Sequence, residues 1–418
     1  MRAQKGKHMK NTSQRAGKVS RDFLFNITAA VLITGVMQLI LYPYLAQIFN
    51  ANEYGEILTI MGIANTVIVS LGNTLNNTRL IVNSDYLEKE EQGDFNLLLL
   101  MSCGVSIIII IGVTIIFFDQ EPVIIAGLIL FVMLSIVNTY YSAEFRLVLS
   151  FKKILLQNII GAGGYLIGCL ILAPVRIWII PFLLAALWQL IFLFFNTTLF
   201  LENWSRTSLF RTTVSKYLIL ILTGLSGNLI VYLDRLLLFP LLGGSSVSVY
   251  TVASFFGKTL GIVMTPIAGV LLGYYAQQGF LMSRKRFWYI NTISAIGGAI
   301  FIIISFVCAD FFTNLLYPTL FSQAEKYILI ANFAATISAV CTLTQSALLK
   351  FAPTWVQIIK ELVYISTYIG LGLILLSKYG LMGFCLAAVL ANSCKLAVLY
   401  LIGDYFIKRN AGNLVKTR

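Results

Sequence analysis

Asp234 and Arg235 stand side by side in one apolar run, 216–242, and Lys258 stands near the middle of the next, 247–275. On insertion scales each such charge at the centre of a bilayer costs about 2.5–3.5 kcal/mol. A chain keeps them where they face water, one another, or a charged ligand inside a bundle. Sequence neighbours lie about 100° apart around a helix. Asp234 and Arg235 therefore do not face each other, and each needs a partner on another helix. Arg79, closing the run 55–82, and Lys395, within 380–403, add two further cations. Four cations against one carboxylate would draw anions into any space they line. A guanidinium grips phosphate through two donors at once, whereas an ammonium acts as a point charge.

Uncharged polar residues fall on helical stripes with these charges. Asn65, Gly72, Asn76 and Arg79 share one face, and Thr34, Gln38 and Tyr42 are four apart. Gly224, Asn228 and Arg235 share another, and Asn392 and Lys395 are three apart. The expected polar lining is thus Gln38, Asn65, Asn76, Asn228, Asp234 and Asn392, around Arg79, Arg235, Lys258 and Lys395. A structural reading stands beside this one. Asn and Gln inside spans also bond helix to helix, for about 0.6 kcal/mol each. Arg79 lies where a long side chain snorkels to the headgroups, and Asp234 with Arg235 also reads as a mutually neutralised pair. On 247–275, Ala253, Gly257, Gly261, Thr265, Gly269 and Gly273 recur every fourth residue. Such a ridge lets another helix approach closely.

The elements that must position these residues are membrane spans. Of 418 residues, 58% are hydrophobic and 11% charged, with a mean hydropathy of +0.86. Soluble domains carry about 25% charged residues, so the chain reads as an all-α, multi-pass membrane protein. Twelve spans of about 20 residues fit: 24–48, 55–82, 96–118, 122–143, 154–173, 177–200, 216–242, 247–275, 288–309, 326–349, 356–377 and 380–403. Basic residues alternate between the two sets of connections. One set holds the tail 1–22, Arg79, Lys89, Arg146, Lys152, Lys153, Arg206, Arg211, Lys216, Arg284, Lys285, Arg286, Lys350, Lys360 and the tail 406–418. The other holds only Arg176, Lys326 and Lys378. This bias places both termini in the cytoplasm, and it accounts for the formal charge of +13 without nucleic acid. A weak repeat, Thr34-Gly35 to Tyr42 against Thr223-Gly224 to Tyr232, points to two six-span halves. The lobes are then 23–205 and 206–405.

Several chemistries are excluded. The one histidine, His8, lies in the basic tail, so no histidine triad or haem ligand is available. The six cysteines fall inside apolar segments without a CxxC pair, which supports neither a disulfide framework nor a metal site. No Walker motif or GxGxxG occurs, so no cofactor is expected. Without ATP chemistry, any transport by such a chain would have to draw on a proton or sodium gradient, the membrane potential, or onward consumption of the product.

The order of these features resembles the Wzx-type flippases of lipid-linked oligosaccharides, in the polysaccharide-transporter branch of the superfamily that includes multidrug and toxin extruders. The likeness rests on Pro43-Tyr44-Leu45-Ala46 with Asn52-Glu53-Tyr54-Gly55, then Arg79. It continues with Tyr232-Leu233-Asp234-Arg235-Leu236-Leu237-Leu238, Val249-Tyr250 and Ala253, and with Leu315-Leu316-Tyr317-Pro318, Phe321 and Ala324. It implies two six-helix lobes arranged as a V, alternately open to each side of a bacterial cytoplasmic membrane. Such proteins carry an undecaprenyl-pyrophosphate-linked glycan to the outer leaflet, alongside a polysaccharide polymerase and a chain-length regulator. By the same resemblance Arg79, Arg235, Lys258 and Lys395 would hold the pyrophosphate or acidic sugars. Two relatives in the superfamily remain as alternatives: a cation-coupled multidrug exporter, and a flippase for lipid II or teichoic-acid precursors. An enzyme of polymer synthesis would need a sizeable exterior loop, and the sequence has none.

Overall fold

The computed structural model describes residues 24–276 and 282–416, apart from Asn26. The tail 1–22 lies outside these residues, as do the side chains of 410–418. Among the described residues the chain is helical and contains no strand. Ten of the described helices are long and apolar enough to cross a membrane, and Ile180–Asn196 is a shorter apolar one. One of the ten, Trp355–Arg409, is two helices run together across Gly380, which completes the twelve.

In chain order these are α1 (Ile27–Ile48), α2 (Ala51–Glu88), α3 (Phe95–Phe117), α4 (Pro122–Leu147), α5 (Phe151–Val175) and α6 (Ile180–Asn196). They continue as α7 (210–242), α8 (244–276), α9 (Arg284–Leu316), α10 (Pro318–Phe351), α11 (354–379) and α12 (381–416). Glycine makes two of the reversals possible. Gly243 (φ 77°) and Gly380 (φ 57°) adopt a backbone that a side chain resists. Both α1 and α2 contain one wide turn, at Met37–Leu41 and Val69–Asn73, a local widening often found at functional sites.

Packing divides the chain into two compact units, Met1–Ile48 with Ile60–Tyr232, and Phe49–Thr59 with Leu233–Arg418. In the first, α5 meets α6 through glycine. A Cβ on Gly164 would fall 2.6 Å from Ala185 Cα, and one on Gly168 would fall 2.3 Å from Pro181 Cα. Backbones this close gain van der Waals contact that lipid cannot supply. The connection after α6 is pinned to the α2–α3 turn. Asp94 accepts from Tyr86 Oη (2.6 Å), Thr207 N (2.8 Å) and the Thr207 hydroxyl, and Asn96 Nδ2 donates to Glu202 O (2.9 Å).

In the second unit α10 is the central helix, packed against α8, α9, α11 and α12. The small-residue ridge of α8 meets a neighbouring helix at Ala253 and Gly257. Ala253 is fully buried. A Cβ on Gly257 would meet Asn332 O at 2.7 Å, and Gly257 N–H donates to Asn332 Oδ1 at 2.6 Å. Gly261 and Gly269 have nothing within 4 Å of such a Cβ; the description does not extend to the surroundings of Gly273. The start of α2 nests in the α7–α8 reversal. A Cβ on Gly55 would lie 1.8 Å from Gly244 O, and Ser248 Oγ donates to Ala51 O at 2.5 Å.

Candidate functional site

The break at Gly243 turns the chain back on itself, so α8 returns along α7 and brings Lys258 to Asp234. Lys258 Nζ lies 2.6 Å from Asp234 Oδ2, and the Arg235 backbone N–H donates to Asp234 Oδ1 at 2.8 Å. The Arg235 side chain points elsewhere, as expected of a helical neighbour, and its Nη1 donates to Leu58 O at 3.0 Å. Asp234 and Arg235 are buried, while 39% of the Lys258 side chain remains open. Lys258 Nζ also sits 5.4 Å from the Tyr250 ring centroid. Two cations thus stand beside one carboxylate, and the lysine is the more exposed of the two.

A second charged group lies between α11 and α12. Lys360 Nζ is 2.8 Å from Glu361 Oε1, and Gln345 Nε2 donates to the same oxygen at 3.1 Å. Lys395 Nζ is 3.9 Å from Glu361 Oε2 and 4.2 Å from the centre of the Tyr364 ring. Tyr364 Oη donates to Asn392 Oδ1 at 3.1 Å, and Asn392 Nδ2 donates to Ala388 O at 2.9 Å. This corrects the charge count read from sequence. Spacing alone places Lys360 with the basic connections, but it lies more than one turn inside α11 and is buried. Glu361 is a second embedded carboxylate that sequence reasoning missed. The signal was present: adjacent opposite charges inside an apolar run, with Lys395 available as a partner.

The remaining expected residues lie in the first unit, each in its own setting. Arg79 is buried and forms a two-pronged pair with Glu202, Nη1 to Oε2 at 3.1 Å and Nη2 to Oε1 at 2.5 Å. Its guanidinium also lies 4.5 Å from the Phe95 ring centroid. Its donors point to a carboxylate in the connection after α6, and the contacts favour the structural reading over substrate contact. Burial raises the Glu202 carboxyl above its ordinary range, and Arg79 opposes that shift. Asn76 Nδ2 donates to Thr139 O (2.7 Å) and Ser142 Oγ (3.2 Å), a helix-to-helix link. Asn228 Nδ2 donates to Ser70 Oγ at 3.3 Å, within the wide turn of α2. Gln38, in the wide turn of α1, and Asn65, on α2, are half-buried. The expected residues that form such contacts thus find their partners within their own unit. Asp234, Arg235 and Lys258 come together, and Asn392 and Lys395 come together.

No cluster of three or more metal-ligating side chains occurs among the described residues.

Helix order, the charged groups and their burial define a multi-pass helical membrane protein, and its fold is that of solved transporters of the MOP superfamily. One such structure is a MATE transporter in the bent conformation, 13% identical, with a TM-score of 0.58 over 95% of this chain and 96% of that one. A second is a point mutant of the Vibrio cholerae MATE transporter VcmN, 13% identical, with a TM-score of 0.61 over 96% and 98%. A third is the lipid II flippase MurJ in an inward closed conformation, 14% identical, with a TM-score of 0.55 over 92% and 86%. What is shared at this identity is the fold. No protein-family model matches the chain, and no curated protein matches it in sequence.

Proposed function

We propose that the chain is a transporter rather than an enzyme, a flippase that moves undecaprenyl-pyrophosphate-linked oligosaccharide units from the inner to the outer leaflet of a bacterial cytoplasmic membrane. The product would feed surface polysaccharide synthesis by a polymerase and its chain-length regulator. The observation that carries this reading is the Asp234–Arg235–Lys258 group, with two cations beside one carboxylate and an open lysine. A pyrophosphate head does not cross hydrocarbon unaided, because shedding its water costs far more than the lipid tail repays. A fixed cation reached by water lowers that barrier, and the polyprenyl tail stays in lipid. Lys395 with Asn392 supplies a further cationic station.

A cation-coupled drug exporter is the second reading, supported by the two embedded carboxylates. Each, however, already has an ammonium group against it, at 2.6 Å for Asp234 and 2.8 Å for Glu361. A coupling sodium ion would have to displace a lysine, which favours the flippase. Deleting the gene tests the choice. The flippase reading expects lipid-linked units to accumulate on the inner leaflet and the surface polymer to vanish. Unchanged polymer, with raised sensitivity to cationic drugs, would support the exporter.

A further inference from the structure

The start of α9, the start of α11 and the far end of α12 pack together, and cations and aromatic rings gather there. Asp404 on α12 accepts from Arg284 Nε at 2.6 Å and Nη2 at 3.0 Å, and from Trp288 Nε1 at 2.7 Å. One carboxylate thus holds an arginine and a tryptophan that lie four apart on α9. A Cβ on Gly403 would fall 2.4 Å from Phe287 Cζ, and Trp355 of α11 meets Phe406 at 6.4 Å between ring centres. Arg284 spends only two of its five N–H donors on Asp404, and 61% of its side chain is open. Beside it Lys285, Arg286, Lys408 and Arg409 are exposed, and none has an ion-pair partner among the described residues.

Topology explains why cations lie at these helix ends, but not why they stand unpaired. The first unit sets carboxylates among its own basic connections. There Arg79 pairs with Glu202 and Lys216 with Asp85, and the 83–95 turn adds Glu88, Glu90 and Glu91. The second unit sets Asp404 alone against five cations. The rings around the patch indicate what answers the charge. Trp288, Tyr289, Trp355 and Tyr405 are exposed, and Ile293 and Ile296 continue an open apolar strip along α9. Tryptophan and tyrosine favour the headgroup level of a bilayer, apolar on one side and wet on the other. A soluble acidic partner would meet the cations and leave the isoleucine strip uncovered. A phospholipid with a net negative headgroup satisfies both. We infer that this surface binds anionic phospholipid, its headgroup held by Lys285, Arg286, Lys408 and Arg409 around the Arg284–Trp288 pair that Asp404 fixes. The acyl chains then lie along the rings and the isoleucines. The inference concerns the lipid around the chain and holds whatever the cargo.

The full chain in detergent is titrated with phosphatidylglycerol, phosphatidylcholine, inorganic phosphate or a single-stranded oligonucleotide. Native mass spectrometry reads the bound lipid, and thermal unfolding reads the stabilisation. Phosphatidylglycerol should bind and raise the midpoint more than phosphatidylcholine does, and added salt should shrink the difference. Lys285→Gln with Arg286→Gln should weaken phosphatidylglycerol binding at least about tenfold, since each cation near such a surface is worth roughly fivefold. Lys408→Gln with Arg409→Gln should do the same. Lys152→Gln with Arg211→Gln, which removes two exposed cations of the first unit, should change it by less than about twofold. Equal binding of the two lipids, unchanged affinity in both second-unit variants, or an equal loss in the first-unit variant overturns the inference. Stabilisation by phosphate or by the oligonucleotide that matches phosphatidylglycerol would also overturn it, in favour of a soluble anion. Where a glutamine variant unfolds early in phosphatidylcholine, the charge-conserving swap Lys285→Arg with Arg286→Lys decides. Retained phosphatidylglycerol binding there supports the headgroup contact, and lost binding overturns it.

Discussion

Lys258 Nζ and Asp234 Oδ2 stand 2.6 Å apart with unequal access, 39% of the lysine side chain open against 9% of the aspartate. The carboxylate is the enclosed partner and the ammonium the open one. Arg235, beside Asp234, ties α7 to the start of α2 through Leu58 O, so the group is also a structural joint.

Asp234→Asn should destabilise the protein. Breaking a buried ion pair costs about 3–5 kcal/mol, and the open side of Lys258 cuts this to about 1–3 kcal/mol. Thermal unfolding in detergent checks it. Adding Lys258→Met should recover part of the loss, because the orphaned charge is then gone; fully additive losses would show that the pair is not coupled.

Arg79 and Glu202 should behave as a clamp. Arg79→Ala is expected to lower the unfolding midpoint, and Glu202→Ala should lower it similarly, with the double variant little worse than either single one. Arg79→Lys should rescue poorly, since an ammonium does not reproduce the two-pronged geometry. Unfolding midpoints of the four proteins decide the matter. A wild-type midpoint for Arg79→Ala together with lost export would return Arg79 to the substrate.

Gly55→Ala should be severe and Gly261→Ala mild, although both add one methyl group. The first places a Cβ 1.8 Å from Gly244 O, where backbone meets backbone, and the second places it in open space. The expected cost at Gly55 is about 1–3 kcal/mol or more. At Gly261 the change should be neutral or a gain of up to about 1 kcal/mol from helix propensity. Yield of monodisperse protein and its unfolding midpoint are sufficient readouts.

The twelve spans were legible because twenty apolar residues with sparse charge have few other fates in a chain this hydrophobic. Asp234, Arg235 and Lys258 were legible for the same reason, since a charge in such a run stands out. The Arg79 partner was not. Glu202 lies 123 residues away in a polar connection, and local spacing carries no trace of it. Lys360 and Glu361 were overlooked because they lie near the start of an apolar run, where a charge reads as belonging to the adjoining loop. The wide turns at Met37–Leu41 and Val69–Asn73 left no mark in residue type. The ridge of α8 shows the converse limit: a perfect four-residue spacing meets a partner helix at Gly257 and open space at Gly261 and Gly269.

The most direct measurement is flipping of a fluorescent undecaprenyl-pyrophosphate-linked oligosaccharide in proteoliposomes holding the wild type, Arg235→Ala or Lys258→Ala. The wild type should flip it, and each variant, inserted and folded, should be slower by at least about tenfold, as loss of one charged contact implies. Equal rates for all three proteins would contradict the role given to these cations.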